Sequence, residues 1–268
     1  MEMVEILGFV GALLIGTVLG LIGGGGSILT VPILVYVLAF DPVTATAYSL
    51  FIVGVSALVG AIRNAQKGMV DFRTGIVFAI PALIVVFLTR KFVIPIIPDE
   101  LFSIGNFMVT KDVAIMVFFA LIMLAASYSM IKGRKQIKEA EQEVKYNYPM
   151  IVIEGTIVGF LTGIVGAGGG FLIIPALVLF AKLPMKKAVA TSLMIIAIKS
   201  LAGFLGDVQN IEIEWTFLAT FTGFAVIGIF IGIYLNKFID GNKLKKGFGW
   251  FVLLMGIYIV LKETVFHV

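Results

Sequence analysis

The sequence predicts an all-α polytopic membrane protein of two inverted-topology repeats, each with about five helical segments and with helices broken at glycine-rich loops. Three observations predict it. Of the 268 residues 60% are hydrophobic and only 13% charged, and the mean hydropathy is +1.11, far outside the range of soluble globular chains. Apolar runs recur along the chain at the length of about 20 residues that a membrane-crossing helix needs. A glycine cluster set inside such a run occurs twice, as Gly23-Gly24-Gly25-Gly26-Ser27 before Pro32 and as Gly166-Ala167-Gly168-Gly169-Gly170 before Pro175.

Composition also excludes whole classes of function. Almost the entire chain is membrane, which leaves little for a soluble catalytic domain, so a conventional enzyme is not expected. The formal net charge of +4 comes from basic residues in short loops between apolar runs, and nucleic acid is not an expected partner. With no cysteine and a single histidine, His267, disulfides, thiolate chemistry and histidine metal clusters drop out. No metal and no cofactor are expected. The opening Met-Glu-Met-Val-Glu lacks the positive charge of a signal peptide, so the first apolar run reads as retained helix.

Taken in order, apolar windows predict helices near 3–22, 27–40, 43–62, 74–96 and 111–131, then near 149–167, 170–181, 185–206, 215–236 and 247–265. The chain divides accordingly into a first repeat over 1–131, a charged linker over 132–148 and a second repeat over 149–268. The register of the repeat is Gly166 minus Gly23, or 143. The same offset pairs Gly20 with Gly163, Gly26 with Gly169, Pro32 with Pro175, Ser49 with Ser192, Gly60 with Gly203 and Asp71-Phe72 with Glu214-Trp215. Chance of composition gives scattered glycine matches, not an ungapped register through proline, serine and an acidic-aromatic pair.

Loop charge orients the two copies. If all ten segments cross, one side collects Arg63, Lys67, Arg73, Lys132 to Lys145, Lys182 to Lys187 and Lys237 to Lys246, fifteen Lys and Arg in all, while the other holds Arg90, Lys91, Lys111 and Lys262. The basic side is then cytoplasmic and both termini are external. Re-entrant hairpins in place of full crossings keep the same parity. With an odd number of segments per half, the repeats run oppositely through the bilayer, and a site is expected near the midplane where their broken helices meet.

Glycine weakens a helix and uncovers its amides, so each cluster reads as a break, tolerated at membrane depth only where protein or a water-filled cavity receives the backbone. A helix from Ser27 to Phe40 spans roughly 21 Å, short of the roughly 30 Å hydrocarbon core, so each glycine loop is recessed. Unpaired N–H groups and the macrodipole at the N-terminus of the helix that follows favour an anion. The candidate binding residues are Gly23, Gly24, Gly25, Gly26, Ser27, Ser49, Gly166, Gly168, Gly169, Gly170, Ser192 and Lys199. Close helix packing is the assignment for the four-residue stripes Gly8/Ala12/Gly16/Gly20 and Gly155/Gly159/Gly163.

Lys199 lies well inside a predicted span, opposite Ser56 in the repeat register; it either faces the cavity or snorkels to the interface. Glu154, Asp207, Asn64, Gln66 and Gln209 are candidates for coupling or gating, with helix caps and interfacial positions as the plainer reading. The duplicated Gly-x-x-Gly-x-Gly-Gly-(x)5-Pro, at Gly20 to Pro32 and Gly163 to Pro175, followed by Ala45-x-Ala47-x-Ser49 and Ala188-x-Ala190-x-Ser192, resembles the sulfite exporter TauE/SafE family over essentially the whole chain. The resemblance implies a bacterial or archaeal inner-membrane transporter of small sulfur-containing or organic anions such as sulfite, sulfoacetate or other sulfonates, usually an exporter. Cysteine-based thiosulfate carriage is not implied, since cysteine is absent. A passive anion channel and a non-transporting accessory subunit are the alternatives. The expected partners are a small anion and the lipid bilayer, with a homo-oligomer left open.

Overall fold

The computed structural model describes residues 3–24, 26–104, 107–132, 148–166, 168–179, 181, 183–236, 238 and 241–264. They form an all-α protein. The helices are α1 (Met3–Ile22), α2 (Ser27–Pro32), α3 (Pro42–Ala65), α4 (Phe72–Leu88), α5 (Ile94–Ile96), α6 (Lys111–Ile131), α7 (Tyr148–Val165), α8 (Gly170–Leu179), α9 (Met185–Asp207), α10 (Trp215–Leu235) and α11 (Gly241–Thr264). Between α5 and α6, where the sequence reading has only a loop, strands β1 (Glu100–Ile104) and β2 (Phe107–Thr110) pair antiparallel. Gly25 and most of the charged linker, 133–147, lie outside the described residues.

Helix starts follow local chemistry. Asp41 Oδ1 accepts from Thr44 N at 2.9 Å with Pro42 in the first turn of α3, and Asp71 Oδ1 accepts from Thr74 N at 2.9 Å at the start of α4, each covering an orphan donor. Two helices depart from the expected simple spans by widening. α2 gives way to a π-helical turn over Ile33–Val37, in which Leu38 N donates to Ile33 O at 3.1 Å. Pro32 withdraws the N–H that would otherwise reach back to Ile28. A second π turn, Thr89–Val93, joins α4 to α5.

Among the described residues five helical stretches are long and apolar enough to cross a membrane: Pro42–Ala65, Phe72–Ile96, Lys111–Tyr128, Lys186–Asp207 and Trp215–Leu235. Ile6–Ile22, Ser27–Val37 and Pro149–Val165 are shorter apolar stretches. On α4 the exposed Ile76, Ile80, Ile84 and Leu88 recur every four residues, a stripe that water would penalise and lipid accepts.

Packing follows the register of 143. α1 packs on α10 and α7 on α4; α3 packs on α10 and α9 on α4; α3 meets α9, and α6 meets α11. The offset of 143 carries the α1–α10 pairing onto α7–α4 and the α3–α10 pairing onto α9–α4, and it carries the α3–α9 pairing onto itself. Individual contacts repeat too. A Cβ at Gly60 would stand 3.1 Å from Leu193 Cδ1, and one at Gly203 would stand 3.1 Å from Leu50 Cδ1. Asp71 N donates to Thr191 Oγ1 at 2.9 Å, and Glu214 N donates to Tyr48 Oη at 2.7 Å. The small-residue stripes serve this packing: a Cβ on Gly16 would strike the backbone of Ala225, and one on Gly159 would stand 2.7 Å from Ala82 O.

Candidate functional site

The two glycine breaks meet in the buried interior. A side chain on Gly24 would collide with the backbone of Gly170, and one on Gly170 with Gly24. A Cβ on Gly168 would stand 3.1 Å from Ser27 Cβ. Gly23, Gly166, Gly168 and Gly169 have positive φ angles of 86°, 69°, 59° and 64°, a backbone region in which any L side chain is strained. Glycine here is needed both for conformation and for the approach of one break to the other.

The surroundings of each break are built to one plan. Gly23 N donates to Leu19 O at 2.8 Å and Gly166 N to Thr162 O at 2.9 Å; Leu29 N reaches Gly26 O at 3.1 Å and Leu172 N reaches Gly169 O at 3.0 Å. Val189 of α9 covers Gly23, and its counterpart Thr46 of α3 covers Gly166. One turn farther along the same helices stand Ser192 and Ser49, both fully buried. Ser192 Oγ donates to Val189 O at 2.8 Å, while Ser49 Oγ has no hydrogen-bond partner among the described residues. Ser27, also buried, turns its hydroxyl onto Gly24 O at 2.8 Å and so braces the first break from within.

Polar chemistry is not shared equally between the breaks. Lys199 is fully buried, and its Nζ donates to Thr162 Oγ1 at 2.7 Å. It would stand 3.0 Å from a Cβ placed on Gly169. Among the described residues no carboxylate pairs with it; the buried carboxylate of Asp207 is instead paired through Oδ2 with Arg90 Nε at 2.6 Å. At the first break the positions equivalent to Thr162, Lys199 and Arg90 are Leu19, Ser56 and Ile233. Of these matched positions, only those at the second break carry charge. The first N–H groups of α8 precede the helix's own ladder at this place, and Ile122, Leu161, Val165 and Leu172 pack around Thr162.

Other candidates from the sequence fall elsewhere. Asn64 Nδ2 donates to Gly60 O of its own helix at 2.9 Å, Gln66 and Gln209 are exposed in the turns after α3 and α9, and Glu154 is half-buried near the start of α7. Asp207 is neither a cap nor exposed: it is 2% accessible and bound to Arg90. Arg90, counted among loop cations in the sequence reading, is fully buried within the π turn after α4. Its only signal in the sequence is that Thr89-Arg90-Lys91 interrupts the apolar window 74–96, a pattern equally suited to the end of a span.

The description sulfite exporter TauE/SafE matches residues 8–259 of the chain. The chain belongs to the TauE/SafE family. Relatives named as probable membrane transporter proteins include one from Xylella fastidiosa strain Temecula1, 31% identical over 255 residues, covering 93% of this chain and 92% of that one. YunE of Bacillus subtilis is 28% identical with the same coverage, and a Haemophilus influenzae protein is 24% identical over 94% of this chain and 96% of that one. No solved structure matches. As a TauE/SafE member this is a multi-pass membrane transporter, and its glycine breaks belong to the stretch that the family description spans.

Proposed function

We propose that this transporter carries small sulfur-containing or organic anions, of the class of sulfite, sulfoacetate and other sulfonates, out across the cell (inner) membrane by alternating access. The observation that carries the reading is Lys199: a fully buried ammonium beside Gly169, held only by the hydroxyl of Thr162 among the described residues. A buried cation without a carboxylate is costly unless an anion joins it. A sulfonate or sulfite oxygen set against Lys199 would lie beside Gly169 and the N-terminus of α8 together.

The exchange of contacts between halves at the offset of 143 supports an inverted repeat with its two-fold axis through the crossing of α3 and α9, and hence motion of one half against the other about a fixed centre. The close packing of the breaks favours a transporter that opens to one face at a time over a passive channel. The charge asymmetry of the loops supports external termini and a cytoplasmic linker. Flux of labelled sulfite and sulfoacetate into proteoliposomes, with and without an imposed proton gradient, tests the proposal: saturable uptake by the wild-type protein supports it, and no flux of either anion under any gradient overturns it.

A further inference from the structure

Arg90 ties together four segments of the chain. Beyond Asp207 at the end of α9, its Nη1 donates to Thr46 Oγ1 at 2.9 Å and to Gly163 O at 3.3 Å, and its Nη2 donates to Val43 O at 3.3 Å. These groups belong to the start of α3, the end of α7 and the end of α9. Thr46 is the residue that covers Gly166, so the cluster closes the second break from the side of the turn after α9. A carboxylate in the last turn of a helix opposes the macrodipole, and Asp207 is stable there because of the guanidinium. Asp207 engages it through one oxygen on Nε, not as the two-pronged fork that arginine makes with a free oxyanion.

The equivalent place at the first break has no such device. Ile233 stands where Arg90 would be, Asn64 where Asp207 would be and Val189 where Thr46 would be, and Ile233 and Gly232 pack on Gly20. At these matched positions one closure is uncharged and the other is charged. On α9 a line of residues at helical spacing joins the charged closure to the centre: Asp207 at Arg90, Gly203 against Leu50 and Val86, then Ser200, then Ile196 against Gly168 and Gly170. Ser200 is fully buried, and its hydroxyl has no hydrogen-bond partner among the described residues. A buried hydroxyl without a partner on this line is a donor that a passing acceptor could satisfy.

We infer that Arg90 and Asp207 form a charge latch over the second break, and that the transported anion opens it by taking the place of Asp207 on the Arg90 guanidinium. The exchange leaves the arginine paired throughout and releases the end of α9 from α3 and α7. An anion that binds Arg90 only when the latch is open shifts the population toward that state by its difference in affinity. The anion half of the inference rests on the function proposed above; the latch does not.

The chain has no cysteine, so Ser200→Cys introduces a single thiol on the line behind the latch, and Ala57→Cys introduces one at the equivalent place in the other half. Each protein is placed in lipid nanodiscs and its reaction with a membrane-impermeant maleimide is timed. Adding Asp207→Asn, or the apolar pair Arg90→Met with Asp207→Leu to preserve packing, is expected to raise the rate at Ser200→Cys at least tenfold and leave Ala57→Cys unchanged. Unchanged rates at Ser200→Cys in both latch variants overturn the latch, as does an equal rise at both thiols, which signals general loosening. Sulfoacetate, which does not consume maleimide, is expected to raise the Ser200→Cys rate in the intact latch several-fold. No rise overturns the exchange while the latch stands, and absence of flux in proteoliposomes overturns the anion reading separately.

Discussion

In the proposed site Lys199 and Gly169 act as a pair: with no side chain of its own, the glycine lets the Lys199 ammonium and the Thr162 side chain lie against the backbone of the second break. Substituting Lys199→Met keeps most of the apolar stem and removes the ammonium. Thr162 Oγ1 retains its own bond to Val158 O at 2.7 Å, so no group is orphaned and the fold survives. Sulfoacetate affinity, read by ligand-induced thermal shift in detergent, is expected to fall at least tenfold, an effect of about 1.4 kcal/mol. At Gly169→Val the positive φ costs about 1–2 kcal/mol, and the new side chain meets Thr162 and Lys199 Nζ; transport is expected to be lost. Gly68→Ala is the control, since Gly68 has nearly the same φ, 65°, with nothing within 4 Å of the added Cβ. It carries the backbone strain alone and is expected to transport normally. At this scale the sequence showed the glycines, because clusters in apolar runs admit few readings, and it showed Lys199 as a lone charge in a span. Arg90 was hidden. Three polar residues near the end of an apolar window look like an interface, and only the π turn at Thr89–Val93 swings the guanidinium onto Asp207, 117 residues on.

Helix packing was legible for a related reason. Four-residue glycine spacing on α1 and α7 announces close approach, and the partners are α10 and α4 respectively. Because Gly16 and Gly159 are equivalent positions against helix backbones, Gly16→Val and Gly159→Val are each expected to force the pairs apart. Overpacking costs about 1–3 kcal/mol, and thermal unfolding in detergent is expected to shift downward by similar amounts in both; a large drop in one variant alone contradicts their equivalence. The π turns and the hairpin were not legible. A π turn differs from an α turn by one residue in hydrogen-bond reach, to which apolar periodicity is blind. The strands flank Gly105-Asn106, a turn dipeptide, but runs as short as Glu100–Ile104 and Phe107–Thr110 carry too little pattern to separate strand from loop.

For the molecule as a whole, contacts also exchange at the offset of 143, as in the reciprocal pairs Gly60–Leu193 and Gly203–Leu50. The halves agree in backbone plan and differ in charge, with the cations gathered at the second break. The loop charges predict that an impermeant maleimide added to intact cells will not label Lys138→Cys; labelling there contradicts the orientation. The central claim is that the second break binds and carries a small oxyanion through Lys199. Uptake of labelled sulfoacetate by proteoliposomes, compared between wild type and Lys199→Met across a range of concentrations, tests it most directly. Saturable uptake whose half-saturation rises at least tenfold in the variant is the expected result, and equal uptake curves for the two proteins would contradict it.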